Sequence, residues 1–204
     1  MYGRGGKDFM RKYEEEHYKY ENIKDVVYPW IKEELIDSHA LNGKHISEKD
    51  TPVVSFVGGL KIIFVIKRAD DTFEVMKDNM LPPDCDIEEL YHLSCENLIR
   101  DVEFVIANTW YGAFAIIADG HHECSSLCFK HIWQVCVDKL KDNIIIMAPT
   151  KDMVLFAAEG QEDIVRKMVD HGRQAYESSS EKISQSLLLF SKDRKELTVY
   201  EKEY

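Results

Sequence analysis

The sequence predicts an α+β fold, with helices packed on a mainly antiparallel sheet and a helical segment at the N-terminal end. Three observations carry this prediction. Between Val102 and Tyr200 the apolar runs read strand, strand, helix, strand, strand, helix, strand, strand. Each strand pair is joined by a short connection, as antiparallel neighbours are. Neither phosphate-cradling glycine motif of the doubly wound folds, G-x-G-x-x-G or G-x-x-x-x-G-K-S/T, is present.

Taken in order, residues 1–6 hold three glycines and predict a flexible tail. A single α+β domain is expected over 7–204. Phe9, Met10, Tyr13, His17 and Tyr20 recur at helical spacing, and Ile23 to Ile36 continues with Val26, Val27, Trp30, Ile31 and Leu35. The prediction for 7–37 is therefore helical, with Pro29 starting a second helix or kinking the first. Ser38 to Pro52 is polar around Asn42-Gly43 and reads as a loop. Val53 to Val57 and Leu60 to Ile66 flank Gly58-Gly59 and predict a hairpin or a sharp bend within one long strand, with a third strand over 72–76. After Leu81-Pro82-Pro83, Asp84 or Asp86 caps a helix whose inner face carries Ile87, Leu90, Tyr91 and Leu98.

The second half predicts strands over 102–108 and 113–118, joined by Thr109-Trp110-Tyr111-Gly112. A helix follows from Glu123 to Leu140, with Cys124, Leu127, Cys128, Ile132, Val135, Cys136 and Leu140 as its apolar stripe. Strands over 144–148 and 153–158 flank Pro149-Thr150-Lys151-Asp152. A helix over 161–176 turns Ile164, Val165, Met168 and Val169 inward, and strands over 185–191 and 197–201 close the chain.

Composition narrows the function classes. The formal net charge of −11 opposes general binding of nucleic acid or anionic lipid, both of which need a basic face. Five cysteines, an odd number without regular spacing, make a poor disulfide framework and predict a reducing, cytoplasmic compartment. No apolar run is long enough for a signal core or a membrane span. No cofactor is expected.

The densest polar cluster is Asp119, His121, His122, Cys124, Cys128 and His131. On one continuous helix Cys124, Cys128 and His131 fall at i, i+4 and i+7 and share a face, where sulfur and imidazole suit zinc. His121 or His122 would add a ligand. The competing reading makes the cysteines part of the apolar stripe. Alternatively, Cys124 in a first helical turn gains thiolate character, with His121 or His122 as its base. Ser125 and Ser126 lack a nucleophile elbow, and consecutive Glu14, Glu15 and Glu16 diverge around a helix. Asp84, Asp86, Glu88 and Glu89 are explained by capping at a helix start. Trp110 and Tyr111, adjacent aromatics in a hairpin connection, read as anchors for a partner or as aromatics folded over the sheet edge.

Several segments between Asp84 and Tyr200 resemble uncharacterised bacterial proteins, including the YtpQ-like family. They are Ile87-Glu88-Glu89-Leu90 leading to Glu96-Asn97-Leu98, Phe104-Val105-Ile106-Ala107-Asn108, Gly112-Ala113-Phe114-Ala115-Ile116-Ile117, Ile144-Ile145-Ile146-Met147-Ala148-Pro149, Asp152-Met153-Val154-Leu155 and Ile183-Ser184-Gln185-Ser186-Leu187-Leu188-Leu189-Phe190. The resemblance implies an intracellular α+β protein and no catalytic residues. The expectation is a cytoplasmic, non-catalytic module that binds a protein partner or itself, with Trp110, Tyr111, His121 and His122 as binding residues. The alternative is a metal- or thiol-dependent hydrolase built on the 119–131 segment.

Overall fold

The computed structural model describes residues 19–33, 35, 40–41, 44–47, 49–202 and 204. The helix expected over 7–20 lies almost wholly outside these residues. Helices and antiparallel strands together give the α+β class. The described residues gather into two compact units, one drawn from 19–29, 35–54 and 63–100, the other from 30–33, 55–62 and 101–204.

The first unit opens with a single α-helical turn, α1 (Tyr20–Ile23), and a 3-10 turn (Lys24–Val26). The chain then extends as strand β1 (Val27–Lys32), which passes into the second unit at Trp30, where a helix was expected. Two features of the sequence explain the change. Val27, Tyr28, Trp30 and Ile31 are β-branched or aromatic, and all are buried along one continuous run instead of one stripe. Pro29, which a helix interior rejects, is tolerated because β1 ends the sheet order β1-β5-β4.

The expected loop around Asn42-Gly43 also contains a short ladder, β2 (Ala40–Leu41) paired antiparallel with β3 (Lys44–His45). Asn-Gly between two such residues is the strongest short hairpin signal. The hairpin across Gly58-Gly59 forms as expected from β4 (Val53–Ser55) and β5 (Lys61–Lys67). Both glycines take positive φ, 65° and 80°, a region other residues avoid. Strand β6 (Phe73–Val75) returns along β5, and the Asp70 Oδ1 accepts from the Thr72 N–H and hydroxyl to close the turn. Buried Glu74 pairs with Arg68 across that hairpin.

Helix α2 (Ile87–Asp101) starts where Asp86 Oδ1 accepts the Glu88 N–H at 2.9 Å. Its buried face is more polar than expected, with Ser94 and Asn97 beside Leu90 and Leu98. Asn97 Nδ2 donates to the carbonyls of Lys24 (2.7 Å) and Val27 (3.0 Å), so the buried amide holds the turn that leads into β1.

The second unit is built on a six-stranded sheet in the order β12-β11-β9-β10-β8-β7. Its strands are β7 (Val105–Asn108), β8 (Phe114–Ile117), β9 (Ile144–Thr150), β10 (Met153–Ala158), β11 (Leu187–Phe190) and β12 (Leu197–Val199). All five neighbouring pairs in this order are antiparallel, and the three expected strand pairs are its three hairpins. Strand β9 runs two residues past its expected end and takes in Pro149. The register with β10 shifts between Met153 and Leu155, a bulge at which a residue without an N–H is accommodated.

Helices cover both faces of this sheet. Helix α4 (Glu162–Ser178) lays Val165, Met168 and Val169 on Ile145, Met147, Leu155, Ala157 and Leu187. The alternate residues of the same strands point the other way. There Phe156 meets Trp133 of helix α3 (Lys130–Leu140) edge to face at 5.5 Å and stacks with Phe114 at 5.2 Å.

The helix expected from Glu123 to Leu140 is two pieces, a 3-10 segment (Glu123–Cys128) and α3, broken at Phe129. The Ser126 carbonyl explains the break. It accepts the Phe129 N–H at 3.0 Å and the Trp133 indole N–H at 3.1 Å, so it does not serve the α-helical bond to residue 130. The break resets the helical register. Trp133, Cys136 and Val137 are buried, whereas Val135 of the expected stripe is 46% exposed.

Candidate functional site

The expected site residues separate into three places. Trp110 is 90% exposed beyond the end of β7, while Tyr111, 8% exposed, turns into the core beneath α4. The two rings remain in contact edge to face at 5.3 Å. Thr109 closes the connection by donating its N–H (2.8 Å) and hydroxyl (2.9 Å) to the Ala113 carbonyl. Consecutive residues at a hairpin tip face opposite sides, so only one of the pair is presented to a partner.

His131 is exposed on α3, and Cys124 is buried with its thiol donating to the Thr150 carbonyl at 3.0 Å. The shared helical face expected for Cys124, Cys128 and His131 is therefore not formed, because the chain is not one α-helix between them. Among the described residues no three His, Cys, Asp or Glu side chains group as metal ligands. The thiolate expectation for Cys124 also reverses. Burial pushes its thiol far above the ordinary value, against which the nearby Lys32 charge is a smaller effect. Burial likewise pushes Cys136 up to about 11.

His121 and His122 sit in a tight turn organised by two carboxylates. Glu123 Oε1 accepts the N–H groups of Ala118 (3.0 Å) and Gly120 (2.9 Å). Asp119 Oδ1 accepts those of His121 and His122, both at 3.0 Å, and its Oδ2 accepts from His122 Nδ1 at 2.8 Å. Burial by itself raises the Asp119 carboxyl. The hydrogen bond and charge of His122, with the two backbone donors, outweigh it and hold the group well below the usual carboxylate range. A depressed acid contributes stability above its unfolded-state value of ~4, and that stability is lost as pH falls through the lower folded value. Asp119→Asn is thus expected to lower stability at neutral pH and to flatten the loss below pH ~4. Urea midpoints measured from pH 7 down to pH 3 check this, and parallel curves for the two proteins would contradict it.

His122 is buried, whereas His121 is exposed. Around them the fold brings side chains that sequence spacing does not connect. The His122 ring lies 6.2 Å from that of Trp30, and Lys151 Nζ lies 3.4 Å from His121 Nδ1. Lys151 and Lys32 place their ammonium groups 5.6 and 5.8 Å from the Trp30 ring centroid. Trp30 and Lys32 come from β1, expected as helix, and Lys151 from the two-residue turn between β9 and β10. No local signal links them.

The opposite end of this sheet from β12 is formed by β7, and it is apolar. Val105 is 47% exposed and Ile106 39%, and Val105 faces Ile117, 50% exposed, across the ladder. Among the described residues no further strand pairs with β7. No helix of the described residues is long and apolar enough to cross a membrane. The chain has no significant match to any family model, curated protein or solved structure.

Proposed function

We propose that the protein is a cytoplasmic, non-catalytic binding module that takes up an extended segment of a protein partner along β7. The observation behind this is the exposed apolar edge, Val105 and Ile106 with Ile117 beside them and Trp110 just beyond the strand. Edge strands are ordinarily blunted by lysine, proline or a bulge, and Val105-Ile106-Ala107-Asn108 carries none of these. A partner strand gains backbone hydrogen bonds from such an edge and side-chain contacts from its two faces. An exposed tryptophan adjoining the edge is the residue type that most often dominates binding energy. The net charge of −11 favours a basic partner segment. Kinship of 84–200 with the uncharacterised bacterial proteins belongs to this reading and supplies no reaction. Metal- or thiol-dependent hydrolysis at 119–131 lacks comparable support, since its helical geometry is broken and the Cys124 thiol is buried.

A photoreactive phenylalanine analogue at position 106 or 110 is expected to give a discrete cross-linked adduct in a lysate of the source cells. The same analogue at Val135, exposed on α3, should give none. Ile106→Lys should abolish the adduct formed from position 110, while shifting unfolding free energy by no more than ~0.5 kcal/mol, as for other surface changes. If neither position yields an adduct, and light scattering reports a monomer at all concentrations, the binding reading fails.

A further inference from the structure

Trp30 lies among cations that the β7 edge does not use. The indole is buried, and Lys32, two residues along the same strand, projects from the same face. Lys151 reaches the ring from the β9–β10 turn. That turn is fixed against the chain after α4: the Lys151 N–H donates to the Glu181 carbonyl at 3.0 Å, and Thr150 bridges Lys182. The side chain of Lys151, only 12% exposed, pairs with Glu181 Oε1 at 2.9 Å.

Lys32 differs. It is half-buried, and among the described residues it makes no ion pair or hydrogen bond. Glu181 is the acid that acts on it, and the carboxylates of the neighbouring segments have other engagements, Glu123 among them with the Ala118 and Gly120 N–H groups. Glu33 Oε1 accepts the Ser184 hydroxyl at 2.6 Å, and Asp152 Oδ1 accepts that of Thr150 at 2.8 Å. Asp119 holds His122, and Glu181 holds Lys151. Burial lowers the Lys32 ammonium from its ordinary value, Glu181 partly restores it, and Lys151 adds to the lowering. Two ammonium groups thus share one indole with a single ion-paired carboxylate, inside a chain whose net charge is −11. An excess of positive charge out of bulk water is costly unless an anion joins it.

We infer that Lys32 and Lys151, beside Trp30 and with His121 at the rim, form a subsite for a phosphate group, free or carried as a small monoester. Phosphate suits the donors: lysine binds it as a point charge, and two ammonium groups match the charge of about −1.5 to −2 that a phosphate monoester carries at pH 7, where a carboxylate carries only one. Glu181 occupies Lys151 while the site is empty and is displaced on binding.

Calorimetric titration with inorganic phosphate, and separately with glycerol 3-phosphate, tests this at ionic strength matched with sodium chloride. Saturable binding of at least one is expected; tighter binding of the monoester identifies a carried phosphate, and tighter binding of the inorganic ion a free one. Lys32→Met and Lys151→Met should each weaken it roughly tenfold or more, while Lys139→Met on α3 leaves it unchanged. Glu181→Gln should tighten it, because the variant frees Lys151. That variant keeps the inference testable if either methionine variant fails to fold. Absence of saturable binding to both probes, or binding unaltered in the lysine variants, or weaker binding in Glu181→Gln, would overturn it.

Discussion

Trp133→Ala is expected to remove about 3–5 kcal/mol of stability, the range for truncating a large buried aromatic. The side chain is fully buried, meets Phe156 edge to face at 88° and 5.5 Å, and donates its indole N–H to the Ser126 carbonyl at 3.1 Å. Deleting it opens a cavity between α3 and the sheet and loosens the residue that fixes the break at Phe129. Trp133→Phe keeps most of the ring and loses the hydrogen bond, so its cost should be nearer 1–2 kcal/mol. Urea unfolding followed by circular dichroism separates the two. At roughly 2–4 °C per kcal/mol for a chain of this size, the alanine variant should also melt about 6–20 °C below the parent. An alanine variant within 1 kcal/mol of the parent would show that α3 does not depend on this contact.

Gly172→Val carries the second large effect. Gly172 lies on the buried face of α4, and a Cβ there would stand 2.5 Å from Met147 Sδ and 3.1 Å from its Cε. Helix propensity alone would favour the valine slightly, yet overpacking a closed contact costs about 1–3 kcal/mol and should prevail. Met147→Ala vacates the space at its own cost of about 2–5 kcal/mol. The double variant should then lose less than the sum of the two single variants, with a coupling of at least ~0.5 kcal/mol. Strict additivity would mean that the close approach of α4 to β9 is not what requires glycine at this position.

Where local pattern and tertiary environment agree, the sequence was readable. The three hairpins of the second unit and helices α2 and α4 follow from apolar period, turn residues and the Asp86 cap, because each is decided within a few residues. Strand β1 was not readable as such. Its apolar positions fit a helical period, and only burial on both faces beside β5 selects the extended form. The break at Phe129 was hidden for a similar reason: it arises from the Trp133 indole reaching back to the Ser126 carbonyl, a bond that no periodicity encodes. The candidate sites divide along the same line. Trp110 and the His121-His122 turn are each contiguous in sequence, so the sequence alone could nominate them. The cations around Trp30 come from β1, the β9–β10 turn and the segment after α4, and only folding brings them together.

The order β12-β11-β9-β10-β8-β7 also bears on how the second unit forms. Its three hairpins close between sequence neighbours, so their loop entropy is small. Only two seams, β8 against β10 and β9 against β11, join strands separated by a whole helix, its loops and an intervening strand. Both seams involve the β9–β10 hairpin, whose two-residue turn makes it the most local closure of the three. The hairpin therefore offers the outer pairs a template on either side, and the search for this sheet reduces to docking two preformed ribbons onto a third.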